Sequence, residues 1–229
     1  MGKLRIISYS GKAFRDRQEA GQLLAQELAD LKGQDVVVLG IPRGGIVVAR
    51  ELARGIDGGL DIVLSRKLRT PGYAELAMGS VDEDGHVYIN DEVMRQLSVS
   101  QSAIEQEKEF QMKEIRRRTG LIRQVLPKIP LKDRVVVVTD DGVATGATTQ
   151  AAIWSVRHET PKRLIAAMPV GAEETIRRLA DDVDEMVSLR CPPYFAAVGQ
   201  FYLRFEQVQD EDVLRILREE AGRRNEVKS

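Results

Sequence analysis

The sequence predicts an α/β fold: a doubly wound, mostly parallel sheet flanked by helices. Short runs rich in Val, Ile and Leu, bounded by Gly, Pro or Asp, alternate with segments of helical period. Neither an internal repeat nor a low-complexity stretch interrupts that alternation. The 229 residues, 43% hydrophobic and 30% charged, suit one domain over 1–229 with a single core and argue against disorder.

In chain order, Asp16–Leu31 reads as the first helix and Asp35–Leu39 as the first core strand. Gly44–Arg54 is a helix and Leu60–Ser65 a strand. Arg66–Asn90 then breaks the rhythm: it is polar and Gly-containing, and Asp82-Glu83-Asp84-Gly85 reads as a hairpin turn between Val81 and Val87-Tyr88-Ile89. Long excursions of this kind often carry function. Ser98–Arg123 is an extended charged helix with Ser98 or Ser100 as N-cap and Arg116, Arg117 and Arg118 toward its end. Those arginines suit a solvated face favoured by the helix dipole, or a nucleic-acid patch; the solvated face is the expectation. The pattern resumes with strand Arg134–Thr139, helix Ala147–Arg157, strand Arg163–Val170, helix Glu173–Ala180 and strand Glu185–Leu189.

Bulk features bound the function. No apolar run is long enough to cross a bilayer and Met1–Ser10 lacks the apolar core of a secretion signal, so a cytoplasmic location is expected. Cys191 is the single cysteine and reads as structural, while His86 and His158 are too few and too scattered for a zinc site. A net charge of −1 gives no general attraction to membrane or nucleic acid.

The segment Val135–Thr149 carries the chemistry. An apolar strand ends in Asp140 and Asp141, passes through Gly142, Val143, Ala144, Thr145 and Gly146, and enters a helix at Ala147 and Thr148. Successive backbone N–H groups and a helix N-terminus hold a phosphate without lysine. Gly146 would let the anion approach the backbone, and Thr145, Thr148 and Thr149 offer hydroxyls. The paired acids fit a ribose beside that phosphate, accepting from its vicinal hydroxyls. An Asp capping an ordinary strand-to-helix turn would explain Asp141 but neither the second acid nor the threonines. A Walker A loop is excluded, since no Gly-Lys-Ser/Thr follows.

Three further stretches support a phosphate-handling site. Gly40-Ile41-Pro42-Arg43-Gly44-Gly45 links a strand to a helix and suits a second anion, although a plain Gly-rich turn explains it too. Arg66-Lys67-Leu68-Arg69 opens the excursion with cations, and Tyr73 and Glu75 follow. Five of the ten Phe and Tyr residues lie between Tyr194 and Phe205; they can cover a flat heterocycle or pack on the core, as the helical spacing of Phe201 and Phe205 suggests.

The Val135–Thr149 segment closely resembles the signature by which type I phosphoribosyltransferases bind 5-phosphoribosyl 1-pyrophosphate (PRPP). Phe14, Asp16-Arg17, Ala20-Gly21, Ile41–Gly45, Arg66-Lys67, Glu75–Gly79, Pro193, Phe195, Val198-Gly199 and Tyr202 extend the resemblance from about Phe14 to Ile216, toward a subfamily with no assigned base. It implies a core at about 14–190, a base-selecting hood at about 191–209 and a C-terminal helix at about 210–222. By the same resemblance, Gly142, Val143, Ala144, Thr145, Gly146, Ala147 and Thr148 hold the 5-phosphate, and Pro42, Arg43, Gly44 and Gly45 cradle pyrophosphate. Asp140 and Asp141 stabilise the electron-poor ribose, Arg66 and Lys67 close on the leaving group from a flexible hairpin loop, and Tyr194 and Phe195 sit at the base. Mg²⁺ would be held mainly by PRPP, with no metal site formed by the protein alone. Hypoxanthine and guanine enzymes have an acid at the position of Ala144, whereas adenine enzymes have alanine there and a glutamate in the flexible loop. That points to a purine such as adenine, to Glu75, and to purine salvage. The implied partners are PRPP and a nucleobase-like acceptor, with a homodimer allowed. A non-catalytic PRPP- or nucleotide-binding regulator, or a hydrolase using water as acceptor, are the alternatives.

Overall fold

The computed structural model describes residues 2–90, 94–95, 97 and 99–227, with side chains except those of 74–76 and 225–227. In chain order the strands are β1 (Lys3–Ile6), β2 (Val36–Gly40), β3 (Gly59–Ile62), β4 (Ser65–Thr70), β5 (Tyr73–Asp82), β6 (Val87–Ile89), β7 (Val135–Thr139), β8 (Arg163–Val170) and β9 (Glu185–Arg190). The α-helices are α1 (Arg17–Glu27), α2 (Gly45–Gly55), α3 (Gln101–Arg123), α4 (Ala147–His158), α5 (Glu173–Leu179) and α6 (Asp210–Val227).

Six strands form a wholly parallel sheet in the order β1-β9-β8-β7-β2-β3. Strand side chains alternate between faces, so a strand buried on both faces must be apolar throughout. Val36, Val38 and Val137 pack on one face with residues of α1, α2 and α6. Val37, Val136 and Val138 pack on the other with residues of α4 and α5. Val136, Val137 and Val138 are fully buried, each stabilising the fold by about 1.5–3 kcal/mol. This is the expected doubly wound architecture. The chain runs from β2 to β3 on one side and returns through β7 on the other, so β2 and β7 flank the point where the winding reverses. Ligands of open α/β sheets bind at the carboxyl ends of the strands at such a point.

The Arg66–Asn90 excursion is a second sheet, antiparallel, in the order β4-β5-β6. The turn expected at Asp82–Gly85 is present, with Gly85 at φ 84°. A further turn at Pro71-Gly72 joins β4 to β5, concealed in the sequence by the polar residues around it. Leu68, Met78 and Val81 of this sheet pack against Ile104, Met112 and Ile115 of α3. The charged helix is therefore the cover of the small sheet, and Ser100 caps it by accepting from Ala103 N; Ser98 lies outside the described residues.

Several expectations change. Leu60–Ser65 is not one strand: β3 ends at Ile62, and Ser65 begins β4 of the other sheet. Strand β1 was not anticipated, because its charged residues mask an edge strand; Arg5 and Lys3 pair with Glu185 on the neighbouring β9. The first helix ends at Glu27 and continues as a 3₁₀ turn over Ala29–Leu31. Phe201 and Phe205 do not share a helix, since only a 3₁₀ turn forms over Val198–Phe201. The two histidines are scattered in sequence but not in space: their rings lie 5.3 Å apart, and His86 Nδ1 is 3.1 Å from Asp82 Oδ2. No described helix is long and apolar enough to cross a membrane.

Candidate functional site

The register of β2 against β7 builds the site. Gly40 pairs with Thr139, and Ile41 N donates to Thr139 O at 2.9 Å, so the loops after the two strands leave side by side. They then interlock. A Cβ on Gly44 would lie 1.9 Å from Asp141 Oδ2, and one on Gly45 would lie 2.8 Å from Asp140 Cα. At Gly45 the obstacle is backbone and only glycine fits, whereas a side chain at Gly44 would have to displace the Asp141 carboxylate. The Pro42–Arg43 peptide within the first of these loops is cis.

Helices α2 and α4 both start at this crevice, and among the described residues no acceptor answers the N–H groups of Arg43, Gly44 and Gly45 or those of Ala144 through Thr149. The second set is aimed by α5. Thr175 Oγ1 donates to Ala144 O and Arg178 to Thr145 O, both at 2.7 Å. A trans peptide sets its N–H opposite its C=O, so the amides of Thr145 and Gly146 point away from α5. Free amides at a helix N-terminus form an anion site. Thr148 is exposed beside it, whereas Thr149 is buried. The fold gives Gly146 a reason to be glycine that its sequence did not suggest. Its φ is 76°, and a Cβ there would come within 2.6 Å of Thr175 Cγ2, so glycine is required by the turn and by α5.

Asp140 and Asp141 sit between the two loops, and neither caps α4, whose N-cap is Gly146. Asp141 N donates to Asp140 Oδ1 at 2.8 Å. Asp141 Oδ2 accepts from Arg17 Nε at 2.8 Å, while Arg17 Nη1 donates to Glu206 O at 2.9 Å. The guanidinium lies 3.9 Å from the Phe205 ring centre, and the Tyr202 hydroxyl donates to Asp141 O. Burial, and then the neighbouring Asp141 carboxylate, push the Asp140 carboxyl well above the usual carboxylate range. Burial likewise holds the Tyr202 phenol above its ordinary value. Positive charge arriving beside Asp140 would relieve that like-charge pair.

Arg66 and Lys67 line a cavity of about 170 Å³ with Pro42 and Thr148; Asp140 and Asp141 are not among its walls. Arg69 turns to Glu107 and the Phe110 ring. The side chain of Glu75 lies outside the described ones. Tyr194 is 89% exposed, and Phe195 stacks on buried Phe201 at 5.3 Å. The aromatic stretch divides accordingly. Phe201 and Tyr202 belong to the core, and Tyr202 with Phe205 walls in Arg17. Cys191 is buried, and burial raises its thiol pKa, as a structural cysteine requires. Sequence reasoning gave no role to Arg17, Thr175 or Arg178. The motif Asp16-Arg17 was the one available signal.

Comparison with known proteins agrees with this geometry. The phosphoribosyl transferase domain model matches residues 12–206. Two Mycobacterium tuberculosis proteins, from strains CDC 1551 and H37Rv and provisionally described as phosphoribosyl transferases, are 42% identical over 206 residues. The match takes in 90% of this chain and 46% of each of theirs, so the chain spans about half the length of these curated relatives. The crystal structure of TT1426 from Thermus thermophilus superposes with a TM-score of 0.86 at 47% identity, covering 90% of this chain and 98% of that one. Both loops fall inside the matched segment, and the chain belongs to the phosphoribosyl transferase domain family.

Proposed function

We propose that the chain binds PRPP and transfers its ribose 5-phosphate to a nitrogenous base, releasing pyrophosphate. One observation carries the reading: two sets of unanswered amides meet at adjacent strand ends with a carboxylate pair between them. The Ala144–Thr149 set takes the 5-phosphate and the Arg43–Gly45 set takes the pyrophosphate. The bond from ribose C1 to the pyrophosphate oxygen breaks as a base nitrogen bonds to C1, and the proton of that nitrogen passes to the departing pyrophosphate or to water. Asp140 and Asp141 face the ring as it becomes electron-poor, where their negative charge acts most strongly. Arg66 and Lys67 attend the leaving group. Ala144 offers no acid or base to the acceptor, which favours a purine such as adenine over hypoxanthine or guanine.

The carboxylates suit a substrate-held cation. Arg17 occupies Asp141 Oδ2 and the Asp141 amide occupies Asp140 Oδ1, which leaves few oxygens, and Mg²⁺ keeps waters and substrate phosphates as its main ligands. When bound, Mg²⁺ neutralises charge on the pyrophosphate.

The test combines binding with turnover. Mg²⁺-PRPP at one hundred times its dissociation constant should stabilise the fold by about 2.7 kcal/mol; no thermal shift at millimolar PRPP would sink the reading. A nucleobase screen that measures pyrophosphate and nucleotide together separates the alternatives. Pyrophosphate without nucleotide means hydrolysis, and binding without either product means a regulator. In an active pair, Asp140→Asn should lower kcat on the order of 10²-fold, with much less effect on PRPP binding.

A further inference from the structure

The run Arg116-Arg117-Arg118 does not act as one solvated patch. Arg116 and Arg117 are exposed, but Arg118 is not. Residues three and four apart share a helix face, and Arg118 follows buried Ile115 by three and precedes buried Ile122 by four. Its guanidinium is thus carried on the apolar face of α3. There Arg118 Nε is buried with no hydrogen-bond partner, and among the described residues no carboxylate or ring answers the rest of the group. An unsatisfied buried donor on a charged group is costly and calls for an acceptor.

Arg118 reaches the turn that the proposed function assigns to pyrophosphate. It lines the 170 Å³ cavity with Pro42, Arg66, Lys67 and Thr148, and a neighbouring recess with Pro42 and Arg43. Among the described residues the one carboxylate on the cavity wall, Glu114, lies 3.7 Å from Arg117. Positive charge is therefore in excess. The cavity is smaller than the roughly 300–1,000 Å³ typical of a whole-ligand pocket, so it suits a compact polyanion, and a guanidinium fork matches phosphate oxygens.

We infer that Arg118 is a further binding residue for the pyrophosphoryl group, delivered by a helix that lies outside the six-stranded core. The inference rests on the proposed PRPP reading and deepens it. The anion can arrive as part of PRPP or as free pyrophosphate, and the two are told apart by using both.

Calorimetric titrations of Mg²⁺-pyrophosphate, Mg²⁺-PRPP and ribose 5-phosphate into the parent, Arg118→Gln, Arg118→Lys and Arg117→Gln test it. Arg118→Gln should weaken pyrophosphate and PRPP at least about tenfold and leave ribose 5-phosphate binding unchanged. Arg118→Lys, which keeps the charge but loses the fork, should fall between. Arg117→Gln should match the parent. The ligand-free Arg118→Gln protein should melt no lower than the parent, because it loses a buried, unanswered Nε donor; a merely structural arginine would lower the melting point. If Arg118→Gln binds pyrophosphate and PRPP like the parent, the inference is overturned and the PRPP reading stands. An equal loss of ribose 5-phosphate binding also overturns it. Should the parent bind none of the three, the PRPP reading falls and takes the inference with it.

Discussion

Replacing Arg17 with methionine tests the electrostatic frame of the site. The side chain keeps its length but loses the donor to Asp141 Oδ2 at 2.8 Å, the donor to Glu206 O at 2.9 Å and the charge 3.9 Å from the Phe205 ring centre. The pair is largely buried, with side-chain exposures of 10% for Arg17 and 16% for Asp141. Removing one partner of a buried pair costs about 3–5 kcal/mol, and the residual exposure of Asp141 sets the expectation at the lower end, about 3 kcal/mol. For a chain of this size that is a drop in Tm of roughly 6–12 °C. The effect should also depend on the partner. Adding Asp141→Asn to Arg17→Met should recover stability, with a coupling energy of about 1–3 kcal/mol in the double-mutant cycle. Urea denaturation at neutral pH measures all four proteins. If Arg17→Met lies within about 0.5 kcal/mol of the parent, as an ordinary surface substitution would, Arg17 does not neutralise the carboxylate pair and the argument fails.

Two further outcomes follow from the same physics. The Asp140 carboxyl is raised above its ordinary value of 3.8 by burial and by Asp141, so at higher pH the folded state holds a proton that the unfolded state has lost. Its contribution to stability therefore falls as pH rises above that value. Asp140→Asn should gain on the order of 1 kcal/mol at pH 7 while losing turnover, and the gain should fade toward pH 4; pH-dependent melts showing a constant or inverted difference would refute the assignment. Arg123 donates to Asp61 and Glu83, whose side chains are 1% and 6% exposed, and so ties the small sheet to β3. Arg123→Met leaves Asp61 to the backbone donors Ile62 N and Ile129 N and Glu83 to Lys128 at 4.0 Å, and should cost about 3 kcal/mol, the lower end for a broken buried pair; a chemical denaturation midpoint equal to the parent's would contradict it.

Local sequence determined the parallel sheet, because strands buried on both faces must be continuously apolar, and it marked the loop proposed to hold phosphate, because two acids followed by Gly, Thr and a helix start form a contiguous pattern. Edge strand β1 escaped, since Lys3 and Arg5 find their partners, Glu185 and Glu27, far along the chain. The role of α3 as the cover of the small sheet escaped because the packing that defines it joins residues more than twenty positions apart. The site shows the same division. Asp140 and Asp141 were legible as a motif, but the pairing of Asp141 with Arg17 joins residues 124 positions apart. Gly146 was legible only as part of an expected loop; its contact with α5 required tertiary structure. Arg118 shows it most plainly. Three consecutive arginines look alike in sequence, and only the helical step of about 100° per residue, set against the packing of Ile115 and Ile122, decides which one turns inward.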